Sequence, residues 1–284
     1  MFELTLLGVD DPAAVRDSRN HFSTVRYALY RRMDAYVAIS PRLADAALGG
    51  GVPRERLRTI PQGVDLERCR PAADRAALRR ALGLAGEGPL VAFVGSLIER
   101  KGIDVLLAAW ARIHAREPAA RLVLVGRDRF EDDATAEAFL SGALGGLPAS
   151  AAGSVVRTGV RQDAERFLQA ADVFLFPSRR EGFGTAIIEA MACGLPCVVA
   201  ELPGITDFIF SESTEAAGGI VVRQEDPVAL ADAALTLLST PDRAAAIGAA
   251  GRARVRARFD IEQIADQYLS WYAALRASTS DDRP

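Results

Sequence analysis

Short apolar runs alternate with longer amphipathic stretches through most of this chain. From residue 89 to about residue 240, the apolar runs predict buried strands at 90–94, 122–125, 155–158, 173–176, 197–200 and 219–222. The stretches between them have apolar residues at helical spacing and predict helices at 102–116, 132–144, 164–169, 185–192 and 228–238. Because strands that alternate with helices form β-α-β units, we expect an α/β fold with a doubly wound, mostly parallel sheet.

The first 60 residues have a sparser pattern, with strand candidates at 3–7, 36–39 and 56–60. Three strands are too few for a second complete sheet, and they leave open edges unless further chain covers them. This part is therefore either a partial domain or one that a partner chain completes. Pro61 and Pro71 interrupt the pattern, and a helix after Leu78 is expected to lead into the larger unit.

The pattern changes again after the last predicted strand. Residues 243–258 and 261–276 predict two helices, and the second has an apolar face made by Ile264, Tyr268, Trp271, Tyr272 and Leu275. The polar residues 278–284 predict a disordered tail.

The amino-acid composition excludes several classes of protein and of partner. The 284 residues are 50% hydrophobic and 25% charged, which is typical of a globular protein with ample core. The net charge of −3 offers no overall positive field, so nucleic acid is a poor candidate partner. No apolar stretch reaches the roughly 18 residues of a membrane span, and the first residues lack the basic region of a signal peptide. Three cysteines make no even disulfide framework, so we expect a cytoplasmic protein.

The lysine at position 101 marks the first candidate site. The chain has 34 basic residues, and all except Lys101 are arginines. Gly95 ends a predicted strand and Lys101 stands at the entrance of the next helix, where open α/β sheets bind ligands. Since a helix N-terminus attracts anions and an ammonium group suits phosphate oxygens, Lys101 is a candidate phosphate ligand. The alternative is a solvated residue at the start of a helix.

Two glutamates define the second candidate site. Gly182 and Gly184 flank the turn before a helix that starts near Thr185, and they let backbone amides approach an anion. Glu181 precedes this turn and Glu189 lies about one turn inside the helix. Carboxylates beside an anion site favour a ligand that also offers hydroxyl groups, as a nucleoside diphosphate sugar does. As alternatives, Glu181 caps the helix and Glu189 is solvated.

These segments resemble a known family. The segment EGFGTAIIE followed by AMACGLP is similar to the paired-glutamate motif of retaining glycosyltransferases of the GT-B architecture, notably family 4 (glycosyl transferases group 1). FVGSLIERKGIDVLLAAW resembles the phosphate-binding loop of that family. Its core strands and interdomain passage are similar to the segments RLVLVGRD, RTGVRQDAERFLQAADVFLFPS and RTIPQGVDLERCRP. The resemblance extends from about residue 35 to residue 275.

The resemblance implies two Rossmann-like domains with the active site between them, and a chain that lacks much of the first. The implied division is a partial acceptor-side domain at 1–63 and a nucleotide-sugar-binding domain at 64–258. A helix at 259–277, with Trp271 and Tyr272, would cross back to the N-terminal half, and 278–284 would be the tail.

Carried over by position, the resemblance implies that Lys101 neutralises the donor diphosphate, Glu181 contacts the transferred sugar and Glu189 holds the ribose diol. Lys101 and Glu181 are the catalytic candidates. Backbone amides from Phe183 to Thr185 would hold phosphate. Further donor-binding candidates surround these residues and are Gly95, Ser96, Arg100, Arg127, Gly159, Val160, Arg161, Gly182 and Gly184. Of these, Gly159, Val160 and Arg161 match the loop that lies against the base.

The chain departs from the family pattern at several positions. Ser96 stands where members often place an arginine, and Arg100 is the candidate to replace that charge. Asp207 stands where the family usually has glutamate. The histidine that many members use near the reacting sugar has no secure counterpart, because His21 comes late after the first strand. His114 and the dispersed cysteines provide no metal-ligand cluster, which agrees with a family that needs no metal or other cofactor.

The implied function is retaining transfer of a sugar from a nucleoside diphosphate sugar to a hydroxyl of a glycan, lipid or small molecule. One alternative is a nucleotide-binding module or inactive remnant that needs a partner chain to complete the cleft. Another is a nucleotide-sugar epimerase on the same architecture. A basic helix with aromatic residues at 25–33 would suit peripheral contact with anionic lipid at the inner membrane face, or is an ordinary surface helix.

Overall fold

Two parallel sheets form the framework of the computed structural model, which describes residues 2–4, 32–129, 133–210 and 218–281. The smaller sheet has the strand order β1-β2-β3, with strands Phe2–Leu4, Tyr36–Ala38 and Leu57–Thr59. The larger has the order β6-β5-β4-β7-β8-β9. Its strands β4 to β9 are Leu90–Val94, Arg121–Val125, Val155–Arg157, Val173–Phe176, Cys197–Ala200 and Gly219–Val222. The predicted α/β class with a doubly wound parallel sheet is confirmed.

Helices connect the strands. In chain order, α1 to α6 are Pro41–Gly49, Arg75–Ala81, Ile103–Arg116, Ala134–Gly145, Ala149–Gly153 and Ala164–Ala170. Helices α7 to α11 are Thr185–Ala192, Thr206–Phe210, Pro227–Ser239, Pro241–Arg258 and Ile261–Asp281. Among the helices of the described residues, none has both the length and the apolar character needed to cross a bilayer.

The order of the larger sheet fixes where a ligand can bind. From β4 the chain builds outward through β5 to β6, and it then returns to place β7 on the other side of β4. In doubly wound sheets, this change of direction opens a crevice beyond the carboxyl ends of the two central strands. The loop after β4 therefore lies beside the loop after β7.

The core of the larger unit forms around buried strands and two helix pairs. Strands β7 and β8 are buried at every position because helices cover both faces of the sheet. Helix α3 packs against α9, and α7 packs against α10. Trp110 of α3 is fully buried, and its indole nitrogen donates a hydrogen bond of 3.0 Å to Ser154 Oγ.

A backbone bridge joins the C-terminal region to the passage after β3. The amide of Val64 donates to the carbonyl of Phe259 (2.8 Å), and the amide of Ile261 donates to the carbonyl of Val64 (3.1 Å). The approach is so close that a Cβ on Gly63 would lie 2.7 Å from Ile261 Cα. Glycine at position 63 thus permits α11 to begin here.

Helix α11 packs against the smaller sheet. Val37 of β2, Ile60 and Ile264 form one buried cluster, and Tyr268 and Trp271 pack against it. The guanidinium of Arg58 lies 4.4 Å from the centre of the Trp271 ring. This packing covers the face of β2 that carries Val37, whereas Tyr36 and Ala38 belong to the larger buried cluster.

The structure corrects several sequence-based boundaries. The helix expected after Leu78 is α2, which begins earlier at Arg75 because Asp74 Oδ1 accepts a hydrogen bond from the amide of Ala77 (2.8 Å). Part of the predicted tail is helical, since α11 extends to Asp281. The strand expected at 3–7 is a strand at Phe2–Leu4 as far as it is described.

Some predicted features lie outside the described residues. These are 5–7 of the first strand candidate, 25–31 of the basic helix, His21, and 282–284 of the tail.

Candidate functional site

The crevice at the carboxyl ends of the central strands is built from loops that bind one another through their backbones. Gly95, directly after β4, donates its amide to the carbonyl of Val125 (2.9 Å). Gly126, directly after β5, donates to the carbonyl of Gly159 (3.0 Å). A Cβ on Gly126 would lie 2.1 Å from Gly95 O, so these loops can pack this closely only with glycine there.

Lys101 ends a short 3₁₀ turn, Glu99–Lys101, in the loop after β4. The next residue, Gly102, has φ +68°, and a Cβ there would lie 2.0 Å from Pro177 O in the loop after β7. The two loops are also joined by the amide of Arg179, which donates to Arg100 O at 2.9 Å. Glycine at position 102 therefore permits the loop that carries Lys101 to pack directly against the loop after β7.

Glu181 receives the Lys101 side chain. Lys101 Nζ donates to Glu181 Oε1 at 2.5 Å, and Ser178 Oγ donates to the same oxygen at 2.6 Å. The other oxygen, Oε2, lies 3.5 Å from a guanidinium nitrogen of Arg100. The Glu181 and Lys101 side chains are only 8% and 16% exposed. A buried carboxylate requires such partners, and here they come from two loops.

This geometry excludes two alternatives raised by the sequence. Lys101 is paired and mostly buried, so it is not a solvated helix-entry residue. The residue that caps α7 is Gly184, with φ +95° and no side-chain hydrogen bond at the cap, so Glu181 is not the helix cap. Both residues are instead oriented toward each other at the crevice.

Arg179 is a structural residue of the site that the sequence did not single out. Its guanidinium donates two hydrogen bonds of 2.8 Å to Asp104 at the start of α3 and one of 2.8 Å to Glu225 after β9. It also bonds the carbonyl of Glu99. The hydrogen bonds that Arg179 donates to Asp104 are the main reason that the pKa of Arg179 is raised. Arg179 thus ties together the loops after β4, β7 and β9.

The start of α7 faces the passage between the two sheets. The hydroxyl of Thr185 donates to Gln62 Oε1. The Phe183 ring is buried and makes edge contacts with Phe208 and Phe259, with ring centroids 6.3 and 5.7 Å apart. The side chain of Phe183 therefore belongs to the core, and only its backbone is available as the phosphate ligand expected at this turn.

Glu189 lies on α7 in a half-buried position and has other charged neighbours than Lys101. Its pKa is raised, first by burial and then by the nearby carboxylate of Glu165, while Arg68 opposes the shift. The guanidinium of Arg68 bonds Glu165 at 3.1 Å and the carbonyl of Gln162 at 3.1 Å. Glu189 is therefore within electrostatic range of Glu165 at the start of α6 and of Arg68.

Three arginines among the donor-binding candidates, Arg161, Arg127 and Arg100, form hydrogen bonds within the protein. Arg161 makes a two-pronged ion pair with Asp163 (2.8 and 3.0 Å), whereas the neighbouring Val160 is 69% exposed. Arg127 Nε donates to the carbonyl of Arg129 at 3.1 Å, and Arg100 donates to the carbonyl of Arg180 at 2.7 Å.

Two further positions belong to the same edge of the sheet. Ser96 is half-buried in the loop after β4. Asp207 accepts a hydrogen bond from the amide of Gly204 (3.3 Å). The residues that the structure describes contain no group of three or more His, Cys, Asp or Glu side chains placed to hold a metal ion.

A doubly wound sheet whose crevice combines a buried lysine–glutamate pair with a glycine turn before a helix defines a class of α/β proteins suited to phosphorylated ligands. The sequence profile described as "Glycosyl transferases group 1" matches residues 88–240, just over half of the chain. A second profile, "Glycosyltransferase Family 4", matches residues 11–68. The chain belongs to the glycosyl transferases group 1.

The chain is similar to several proteins over most of its length. A GDP-mannose-dependent monoacylated alpha-(1-6)-phosphatidylinositol monomannoside mannosyltransferase from Corynebacterium glutamicum is 35% identical, over 72% of this chain and 52% of its own length. Sucrose-phosphate synthase from Thermosynechococcus elongatus is 32% identical with a TM-score of 0.76, over 93% of this chain and 64% of its own. Anabaena HepE in complex with UDP-glucose is 25% identical with a TM-score of 0.77, over 93% and 68%.

These neighbours are glycosyltransferases of GT-B architecture, which agrees with Rossmann-like domains in this chain. The chain spans about half the length of the curated relatives it matches.

Proposed function

We propose that this protein transfers a sugar from a nucleoside diphosphate sugar to an acceptor hydroxyl with retention of anomeric configuration. The observation that carries the proposal is the 2.5 Å contact between Lys101 and Glu181 beside the glycine turn that starts α7. Membership of the family supports transfer chemistry. The UDP-glucose bound to HepE and the GDP-mannose used by the Corynebacterium enzyme support a nucleoside diphosphate sugar as donor.

In this proposal the donor lies along the crevice. Lys101 and the backbone amides from Phe183 to Thr185 hold the diphosphate, with Arg100 beside them. Glu181 accepts hydrogen bonds from the transferred sugar, and Glu189 accepts hydrogen bonds from the ribose hydroxyls. The electrostatic neighbours of Glu189 support this order. Arg68 is one of them and bonds the carbonyl of Gln162, which directly follows residues 159–161, the candidates for contact with the base.

The proposed reaction breaks the bond between the anomeric carbon and the diphosphate oxygen and forms a bond from that carbon to the acceptor oxygen. The acceptor proton ends on the released diphosphate or in solvent. Negative charge develops on the departing diphosphate, so a lysine fixed in a mostly buried position lowers the barrier by electrostatic stabilisation. No metal or other cofactor is part of the proposal.

Calorimetry with UDP, GDP, UDP-glucose and GDP-mannose, together with a donor-hydrolysis assay, tests this function. We expect one nucleoside diphosphate to bind, its sugar ester to be turned over, and Lys101→Met to abolish both. Proton NMR of the first product formed should show the anomeric configuration of the donor. If none of the four compounds binds, the proposed function is wrong. A product with inverted anomeric configuration would refute retention.

A nucleotide-binding module that needs a partner to complete the cleft is the second candidate. One observation favours it: the described part of the first unit has a sheet of three strands. In this case residues 1–63 form a partial acceptor-side domain, 64–258 bind the nucleotide and 259–277 connect the two. Nucleotide binding without turnover would favour the module, and conversion of the donor sugar without an acceptor would favour an epimerase.

We further propose a cytoplasmic protein that meets glycan or lipid-linked acceptors, with peripheral contact at anionic membrane. Flotation with liposomes that contain or lack phosphatidylglycerol tests this contact. Equal flotation with both would contradict it.

A further inference from the structure

A small cavity adjoins Glu181 at the place where the two units meet. It has a volume of about 140 Å³ and lies between Arg42 at the start of α1 and the loops after β7, β8 and β9. Arg179, Arg180 and Gln224 also line it. One wall therefore comes from the smaller sheet unit and the others from the larger.

The charges of two lining residues are already compensated. Arg179 is paired with Asp104 and Glu225, and Glu181 is paired with Lys101. Glu181 is also the acidic side chain among the residues that line the cavity. Because Lys101 already neutralises Glu181, this carboxylate does not neutralise the other two arginines of the cavity, Arg42 and Arg180.

Arg42 and Arg180 are the uncompensated charges. Among the residues that the structure describes, neither makes an ion pair with a carboxylate. Arg42 donates one hydrogen bond of 3.2 Å to the carbonyl of Pro203, which holds its guanidinium across the gap between α1 and the loop after β8. Arg42 is half-buried and Arg180 is exposed. A guanidinium has five N–H donors, so within the part of the chain that the structure describes, most donors of Arg42 and all those of Arg180 are without a protein acceptor and can bind a ligand. The cavity thus has an excess of two positive charges next to Glu181.

A phosphate monoester matches this cavity in charge and in hydrogen bonding. It carries between about −1.5 and −2 at pH 7 and has three acceptor oxygens. Guanidinium groups bind such oxygens in forked pairs, which a lysine could not do.

We propose that this cavity binds a phosphate monoester on the acceptor and so places an acceptor hydroxyl beside Glu181. The inference rests on the proposed function, in which Glu181 contacts the transferred sugar. It differs from the donor diphosphate site, which is assigned to Lys101 and the start of α7. The acceptor is thus a phosphorylated polyol or sugar rather than a neutral one.

The test uses the protein saturated with whichever nucleoside diphosphate it binds, so that the donor phosphate site is filled. Glycerol 3-phosphate, inorganic phosphate and glycerol are then titrated by calorimetry. We expect both phosphate compounds to bind and glycerol not to bind. Arg42→Gln and Arg180→Gln should each weaken glycerol 3-phosphate at least about fivefold, because a hydrogen bond to a charged group is lost. Added salt should weaken binding as well.

Arg112→Gln is the matched control, because Arg112 is exposed on α3 and the variant removes the same charge away from the cavity. It should leave the affinity for glycerol 3-phosphate unchanged. Melting temperatures of Arg180→Gln and Arg112→Gln should match that of the parent protein, whereas Arg42→Gln loses the hydrogen bond to Pro203 and should melt slightly lower.

Several results would overturn the proposal. Phosphate binding that the nucleoside diphosphate displaces, and that neither arginine variant weakens, would assign the anion to the donor site. Absence of binding by both phosphate compounds would also refute it. If no nucleoside diphosphate binds, glycerol 3-phosphate is titrated alone. Binding that depends on Arg42 and Arg180 would then leave the anion site standing and reject the proposed function.

Discussion

Glu181 Oε1 accepts hydrogen bonds from Lys101 and Ser178 at the same time, so the charge of Lys101 is partly used by the protein itself. A diphosphate that binds to Lys101 must compete with this carboxylate. The two residues are therefore coupled, and removing the charge of one changes what the other can bind.

Replacing Glu181 with glutamine should separate binding from turnover. Glu181→Gln leaves the Lys101 ammonium without a carboxylate partner, so we expect the nucleoside diphosphate to bind as tightly as in the parent or a few-fold more tightly. Turnover of the sugar ester should fall at least about a hundredfold, because contacts to the reacting sugar act in the transition state. Calorimetry and the hydrolysis assay measure the two quantities.

Glu99→Gln is the control for this change, since Glu99 is an exposed carboxylate in the same turn as Lys101. It should alter neither quantity by more than about twofold. Weaker nucleotide binding in Glu181→Gln would show that Glu181 attracts the donor rather than competing with it.

The raised pKa of Glu189 makes a pH-dependent prediction. Burial and Glu165 raise this pKa above the ordinary value of 4.5, so the carboxylate takes up a proton at a higher pH than an exposed glutamate would. A protonated carboxyl accepts fewer hydrogen bonds from a diol. Affinity for the nucleoside diphosphate should therefore fall as pH drops through the raised pKa. Its 2′,3′-dideoxy analogue should not show this fall, and a parallel fall would contradict the assignment.

The same pKa predicts an effect on stability. Because the folded chain holds the Glu189 proton more tightly than the unfolded chain, the contribution of this group is greatest below pH 4.5 and declines as pH rises through the folded value. Glu189→Gln removes that loss. We expect its melting temperature to exceed that of the parent by roughly 1–3 °C at pH 7.5 and to differ less at pH 4.5.

At the scale of elements, contact between the loops after β4 and β7 depends on a residue without a side chain. Gly102 has φ +68° and lies against Pro177, whereas Gly83 has φ +69° with nothing within 4 Å of its Cβ position. The two glycines share a backbone conformation and differ in crowding.

Alanine substitutions at Gly83 and Gly102 should distinguish the cost of backbone strain from the cost of a steric clash. Gly83→Ala should cost about 1 kcal/mol, because only the left-handed conformation is penalised. Gly102→Ala should cost about 3 kcal/mol or more, because the loop must also move away from Pro177. Urea unfolding measures both. We also expect Gly102→Ala, and not Gly83→Ala, to weaken nucleoside diphosphate binding, and equal costs would contradict the crowding argument.

The elements also show what a sequence pattern can predict. Strands β4, β7, β8 and β9 and helix α7 were predicted at their observed bounds, because continuous apolar runs between glycine and proline residues are a strong local signal. Helices α1, α5 and α8 were missed. Helix α1 had a recognisable start, since Ser40 caps it and Pro41 follows, but its nine residues end at glycine before the apolar period is established.

The site was predictable to the extent that topology determines it. Lys101 and Glu181 each follow a central strand, so the doubly wound order alone brings them to one edge. The roles of Arg179 and Arg42 were not predictable, because each depends on partners 46 or more positions away in loops whose packing no local pattern specifies.

At the scale of the whole molecule, α11 ties the end of the chain to its beginning. Val37 of β2 and Ile60 after β3 are buried in a cluster that Ile264, Tyr268 and Trp271 of α11 complete. The stability of the smaller unit is therefore expected to depend on residues more than 200 positions later in the chain.

Trp271→Ala tests this dependence. Loss of the ring that packs on the Val37 cluster should destabilise the smaller unit by about 2 kcal/mol. Hydrogen exchange should accelerate in β2 and β3 and stay unchanged in β4 to β9, because the buried residues of β4 to β9 lie outside the cluster that Trp271 packs against. Tyr272→Ala is the control, since Tyr272 follows Trp271 directly in the sequence and is 45% exposed. Uniform acceleration through both sheets would show that they unfold as one unit.

The three free cysteines of the chain, Cys69, Cys193 and Cys197, are all buried. A hydrogen bond with Cys69 and burial raise the pKa of the Cys193 thiol, and burial raises that of Cys197. Because only a thiolate attacks a disulfide reagent such as Ellman's, the native protein should give almost no colour within the mixing time. Slow colour would then time the opening of the fold, and a single cysteine placed at the exposed Val160 would accept a fluorophore with little background.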